Sequence, residues 1–145
     1  MTLFMETTRI KSERTVSEIH DTLRRHGATA ILNEYEAMNV SAVSFKVMVG
    51  GSEVAFRLPA RWKELETVLR GLGRRPQSGD TFETWARRVA WRQILRWVEA
   101  QFAMVETGMV KVQEVFLPYA QTPSGETIFE QIESRGFKAL EFKPK

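Results

Sequence analysis

The stretch VSAVSFKVMVGGSEVAFRL, residues 40–58, decides the fold class. Val43, Phe45, Val47 and Val49 take alternate positions, with Ser44, Lys46 and Met48 between them. That period of two belongs to a strand with one buried face. Gly50-Gly51 follows as a tight hairpin turn, because both glycines tolerate positive φ. On the return, Val54, Phe56 and Leu58 point inward, while Ala55 and Arg57 point outward. Upstream, ATAILNEYE (28–36) is rich in strand formers and stops at the polar turn Glu36-Ala37-Met38-Asn39. The three runs form an antiparallel meander. The amino-terminal TLFMETTRI reads as a further strand, for a sheet of three or four.

Helical spacing surrounds this meander. TVSEIHDTLRRHGA (15–28) places Val16, Ile19 and Leu23 on one stripe, with Ser12 or Thr15 as cap and Gly27 closing the end. Pro59 opens PARWKELETVLRGLG, whose stripe is Trp62, Leu65, Leu69 and Leu72. GRRPQSGD (73–80) is a loop, and a long helix runs from about Thr81 to Val105. MVKVQEVFL (109–117) is predicted helical and stopped by Pro118; SGETIFEQIESR is a last helix before Gly136 and the tail FKALEFKPK. No linker, repeat or low-complexity tract divides the chain, so residues 1–145 are expected to form one α+β domain: a small antiparallel sheet covered on one side by helices.

The long helix carries four arginines and three tryptophans within residues 81–101. Trp85, Trp91 and Trp97 are six apart and therefore point about 120° from one another, so they cannot form one stacking platform. They are expected to anchor the core. Arg88, Arg92 and Arg96 are four apart and form a stripe continued by Glu99, the exposed part of a helix otherwise apolar on most sides. That stripe suits phosphate, or ion pairing with neighbouring carboxylates.

Charge is uneven along the chain. Residues 57–96 hold ten Lys/Arg against four Asp/Glu, whereas the segments on either side carry a slight acidic excess. Clustered positive charge points to an anionic partner, with solvated helix faces as the alternative. The candidate contacts for nucleic acid or another anionic ligand are Arg57, Arg61, Lys63, Arg70, Arg74, Arg75, Arg88, Arg92 and Arg96. Arg74 and Arg75 lead, because a Gly/Pro loop should leave them exposed. The outer sheet face, with Ser44, Lys46, Ala55 and Arg57, offers no clear aromatic platform beyond Tyr35.

No catalytic pattern emerges. The glycines sit in turns rather than in a phosphate-cradling loop, and no nucleophile elbow is present. His20 and His26, six apart, point to different sides and are expected at the surface. Glu34 and Glu36 lack partners at metal-ligand spacing. The expectation is a protein without catalysis, cofactor or metal. The absence of cysteine suits a reducing cytosol. Neither a signal peptide nor an apolar run of the roughly 20 residues needed to span a bilayer is visible, so no membrane partner is expected.

RVAWRQILRWVEAQFAMVETGMVKVQEVFLPYA (88–120), with FRLP (56–59) and GETIFEQIESRGF (125–137), resembles the pattern of a family of small proteins of bacteriophages, prophages and integrative elements. The likeness covers most of the chain and carries no established activity. It implies a mobile-element protein in the cytoplasm of a bacterial host. Two roles follow: handling nucleic acid, or blunting host defence by inhibiting a defence protein or sequestering a nucleotide signal. A third is an accessory protein that forms a homo-oligomer, for which VFLPYA (115–120) is the candidate apolar interface.

Overall fold

A computed structural model describes residues 1–144; the last residue of the FKALEFKPK tail lies outside it. In chain order the elements are α1 (Ser12–Arg25), β1 (Ala30–Glu36), β2 (Asn39–Val49), β3 (Ser52–Pro59), α2 (Trp62–Gly71), α3 (Phe82–Glu106), α4 (Val112–Val115) and α5 (Ile128–Arg135). Single 3₁₀ turns occupy Leu117–Tyr119 and Lys138–Leu140. No helix among the described residues is long and apolar enough to cross a membrane.

The sheet has order β1-β2-β3, antiparallel throughout. Phe45 faces Ile31 and Phe56 across its two neighbours, and Ser44 faces Leu32 and Arg57 on the opposite side of the sheet. Val43, Phe45, Val47, Phe56 and Leu58 are all buried. They pack against Val16, Ile19 and Leu23 of α1, Leu69 of α2, and Trp91, Leu95, Val98 and Phe102 of α3, in one core. The hairpin glycines hold the positive φ that their turn demands, 56° and 83°.

Thr81 caps α3: its side-chain oxygen accepts the Thr84 N–H at 3.0 Å, satisfying one of the four donors a helix start leaves free. Beyond α3 the chain folds back and inserts Phe116, fully buried, among Phe45, Phe56, Trp97 and Phe102, with centroid distances of 5.2–6.0 Å. Ala120 then bridges to Phe56, and the Gln121 N–H donates to the Ala55 carbonyl at 2.8 Å, continuing the free edge of β3. VFLPYA thus divides. Phe116 and Ala120 are core, and Leu117 faces solvent. In the last helix, α5, Thr127 and Glu130 form a capping box; the Thr127 N–H holds the Glu130 carboxyl below the usual carboxylate range.

Five local expectations change. TLFMETTRI is not a strand: residues 4–7 form a turn, with Met5 at φ 65°. Its polar groups are taken by α3 and the loop before it, since Trp85 Nε1 donates to the Glu6 carbonyl and Gln93 to the Phe4 carbonyl, both at 2.8 Å. α1 starts after Lys11 without a side-chain cap, and α2 starts at Trp62, after the Arg61 turn, rather than at Pro59. The helix expected over 109–117 shrinks to α4 and a 3₁₀ turn, because Phe116 must turn inward before Pro118. Neither histidine is a free surface group. His20 meets Asn33 Oδ1 at 2.8 Å; His26 stacks on Phe102 and touches the Thr22 carbonyl at 2.7 Å and Glu106 at 2.5 Å.

The amino-terminal turn yields a pH prediction. The Glu6 carboxyl, 9% exposed, accepts the Leu3 N–H at 2.9 Å and two contacts from Arg74 Nη1 at 2.6 and 2.7 Å. The Leu3 amide first, then Arg74, hold it below the usual carboxylate range. A carboxyl lowered in the folded state stabilises above its unfolded pKa, and that contribution disappears as pH falls through the lowered folded value. Thermal unfolding followed from neutral pH into the acid range should therefore show a shallower acid limb in Glu6→Gln. An acid limb identical to the parent's would assign none of it to this pair.

Candidate binding site

Folding neutralises most of the predicted basic surface. Six of the nine candidate cations are ion-paired: Arg57–Glu34, Arg70–Glu66, Arg74–Glu6, Arg88–Asp80, Arg92–Glu18 and Arg96–Glu99, at 2.5–2.8 Å. Of the nine, Arg61, Lys63 and Arg75 make no ion pair with any described residue. The carboxylates for Arg57, Arg74 and Arg92 come from the first 34 residues of the chain, 23 or more positions away in sequence. The helix stripe expected to face solvent is largely covered. Side-chain exposure is 18% for Arg88 and 6% for Arg92, because α1 packs along that side, and only Arg96, at 45%, stays open. Arg74 also departs from expectation: beyond Glu6 it donates to the Met1 carbonyl at 2.9 Å, so it clasps the amino terminus.

Nor do the nine converge. Lys63, in the first turn of α2, sits over the Trp62 ring. Arg70 stacks on Phe82 at 4.3 Å, and Arg57 lies on the outer sheet face beside Glu34.

Arg61 lines a concave feature of its own. Between α2, α3 and the 3₁₀ turn lies a groove of about 520 Å³, within the range of small-molecule sites. Leu65 and Val68 form one wall, Ile94 and Trp97 the other, and Leu58 and Tyr119 close the floor and end. The helical period explains the arrangement: Glu64, Leu65 and Val68 fall on one face of α2, as Ala90, Gln93, Ile94 and Trp97 do on α3, and Arg61 sits in the turn just before α2.

The polar ends of this groove are unspent. Trp85 and Trp91 give their indole N–H groups to backbone carbonyls, of Glu6 and Val40. Trp97 and Tyr119, meeting edge to face at 5.5 Å, make no side-chain hydrogen bond among the described residues, and neither polar atom is a buried orphan. Both polar atoms are therefore open to solvent, and both side chains line the groove. Arg61 is exposed at the rim, with the Phe129 ring at 5.9 Å and the Glu130 carboxylate near enough to feel its charge, and Glu64 is exposed and makes no ion pair. The set is two aromatic edges with donors, one guanidinium and one carboxylate around an apolar floor. Such a site can enclose a flat or aliphatic body, bond its edges and hold an anionic group at the mouth.

The sequence points to Arg61, and to Tyr119 only through the apolar run VFLPYA; Trp97 reads as core from its spacing. The groove itself carries no local signal, because it exists only where three separated segments meet. Among the described residues no group of three or more His, Asp or Glu could hold a metal ion. No protein-family model, curated protein or solved structure matches this chain.

Proposed function

We propose that this protein works by non-catalytic binding of a nucleotide-type ligand, a free nucleotide or the end of a single strand, in the α2/α3 groove. The observation that carries this reading is the single unpaired guanidinium, Arg61, at the mouth of an apolar groove whose two aromatic residues keep their polar atoms free. A base fits against the corner made by Trp97 and Tyr119, Glu64 accepts from a sugar hydroxyl or an exocyclic amine, and Arg61 takes the phosphate. The resemblance to mobile-element proteins gives such binding a setting in a bacterial cell, either on the element's nucleic acid or on a nucleotide signal of the host.

The test uses the geometry of α2. Purified protein is titrated calorimetrically with nucleoside mono-, di- and cyclic phosphates and with short single-stranded oligonucleotides. Arg61→Glu is expected to weaken binding about ten-fold or more, since a charge-assisted hydrogen bond contributes roughly 1.5–3 kcal/mol. Lys63→Glu, on α2 but outside the groove lining, should leave it unchanged. Equal losses in Lys63→Glu and Arg75→Glu, with a steep salt dependence, would instead favour a diffuse basic surface for nucleic acid. If none of these ligands binds, the nucleotide reading fails and the groove is left for an apolar segment of a partner protein.

A further inference from the structure

On the opposite side of α3 from the groove, a second cavity of about 610 Å³ opens between α1 and α3. Four guanidiniums line it: Arg24 and Arg25 from the last turn of α1, and Arg92 and Arg96 from α3. Three carboxylates, Glu18, Asp21 and Glu99, share its walls.

One cation of the cleft is held fast, whereas Arg24 and Arg96, 67% and 45% exposed, sit in open pairs with Asp21 and Glu99. Arg92 is fixed: its side chain is 6% exposed, and Nη1 bonds Glu18 at 2.5 Å and Thr15 Oγ1 at 3.4 Å. Its Nε–H is buried and has no acceptor. A buried donor without a partner is costly, and for a charged group more so. Arg25 has no carboxylate partner and touches only Thr22 Oγ1, at 3.4 Å. Glu18, Asp21 and Glu99, by contrast, are 36%, 53% and 43% exposed, so each can turn its charge toward water. An anion entering the cleft meets Arg92 held in place and Arg25 without a carboxylate, while the exposed pairs Arg24–Asp21 and Arg96–Glu99, each of little individual value, can open in favour of charge-assisted bonds.

We propose that this cleft is an anion site for a compact group bearing two phosphoryl units, such as pyrophosphate or the diphosphate of a small ligand. Guanidinium pairs suit it because each planar fork can bond two phosphate oxygens. The site is independent of the groove: the two lie on opposite faces of α3, share no residue, and the cleft offers no aromatic surface for a base.

Inorganic pyrophosphate is therefore the probe, titrated by calorimetry and by the Nε–Hε resonances of the arginines in a ¹⁵N-labelled sample. Saturable binding with displacement of the Arg92 Nε–Hε resonance is expected. Arg25→Gln, an exposed position outside any ion pair, should weaken it about ten-fold or more. Arg75→Gln, equally unpaired but on a distant loop, should not. The arms separate the sources of the phosphates. If a nucleoside diphosphate binds here no more tightly than pyrophosphate in an Arg61→Glu background, the cleft reads only the phosphates, whereas a large gain would place a base in it and overturn the assignment. The proposal also fails if Arg25→Gln and Arg75→Gln weaken binding alike, or if no arginine resonance moves in a folded sample.

Discussion

Trp91→Ala should lower the free energy of unfolding by roughly 3–5 kcal/mol, the usual range for removing a buried tryptophan. The ring is 1% exposed and lies where α3 crosses the sheet. Its indole Nε1 donates to the Val40 carbonyl at 3.3 Å, at the start of β2, so the residue ties the long helix to the meander by contact and by a hydrogen bond. Truncation would leave a void bordered by Val16 of α1 and by Val40, in a rigid corner that cannot close over it. Denaturant unfolding monitored by far-UV circular dichroism gives the difference, and a midpoint equal to the parent's would show that the ring carries no packing. Trp97→Ala provides the contrast. Its ring is half-buried in the groove, so a smaller loss of stability is expected together with loss of ligand binding. Tryptophans six residues apart thus serve three different neighbours. Trp85 holds the amino-terminal turn, Trp91 the sheet and Trp97 the groove.

The 120° separation that assigns those three neighbours was legible in the sequence because it depends only on spacing along one helix. The same holds for the meander. Alternation in 43–49, the Gly50-Gly51 turn and the return strand are local, and the register confirms them pair by pair, Phe45 with Phe56 and Val43 with Leu58. What escaped was set by partners distant in sequence. Arg92 meets a carboxylate 74 residues away, Arg74 one 68 away and Arg87 one 51 away. A helical wheel shows that Arg92 and Arg96 share a face, but not that α1 lies over that face carrying Glu18. The amino-terminal segment failed for a related reason. β-branched and apolar residues make a strand only where a neighbouring strand supplies the hydrogen bonds, and here Trp85, Gln93 and Arg74 claim those groups first. Arg87 was passed over among four arginines. Its one available signal was its position a turn before Trp91, on the stripe that faces the core.

Arg87 supports the second large effect, and the expected result is asymmetric. Its side chain is 6% exposed, its guanidinium lies 4.3 Å from the Trp62 ring, and it bonds Glu36 at 2.9 Å and Glu83 at 3.3 Å. Its Nη1 is buried with no acceptor. The two carboxylates are about half exposed, so the buried member of this cluster is the cation. Neutralising both acids, Glu36→Gln with Glu83→Gln, leaves that cation without compensation and should cost about 3 kcal/mol, the low end for breaking a buried pair because water reaches the acid side. Arg87→Met removes the charge instead, keeps most of the apolar stem against Trp62, and ends the burden of the orphaned Nη1. The freed carboxylates return to water. That variant should lie within about 1 kcal/mol of the parent, since replacing a buried ion pair by apolar volume is often neutral or stabilising. Denaturant midpoints of the two variants, measured side by side with equal transition slopes, decide the matter. A larger loss in Arg87→Met than in the double glutamine variant would mean that the arginine is held for its bonds rather than tolerated for its packing, and that the Glu36–Arg87–Glu83 cluster is a net stabiliser of the junction between β1 and α3.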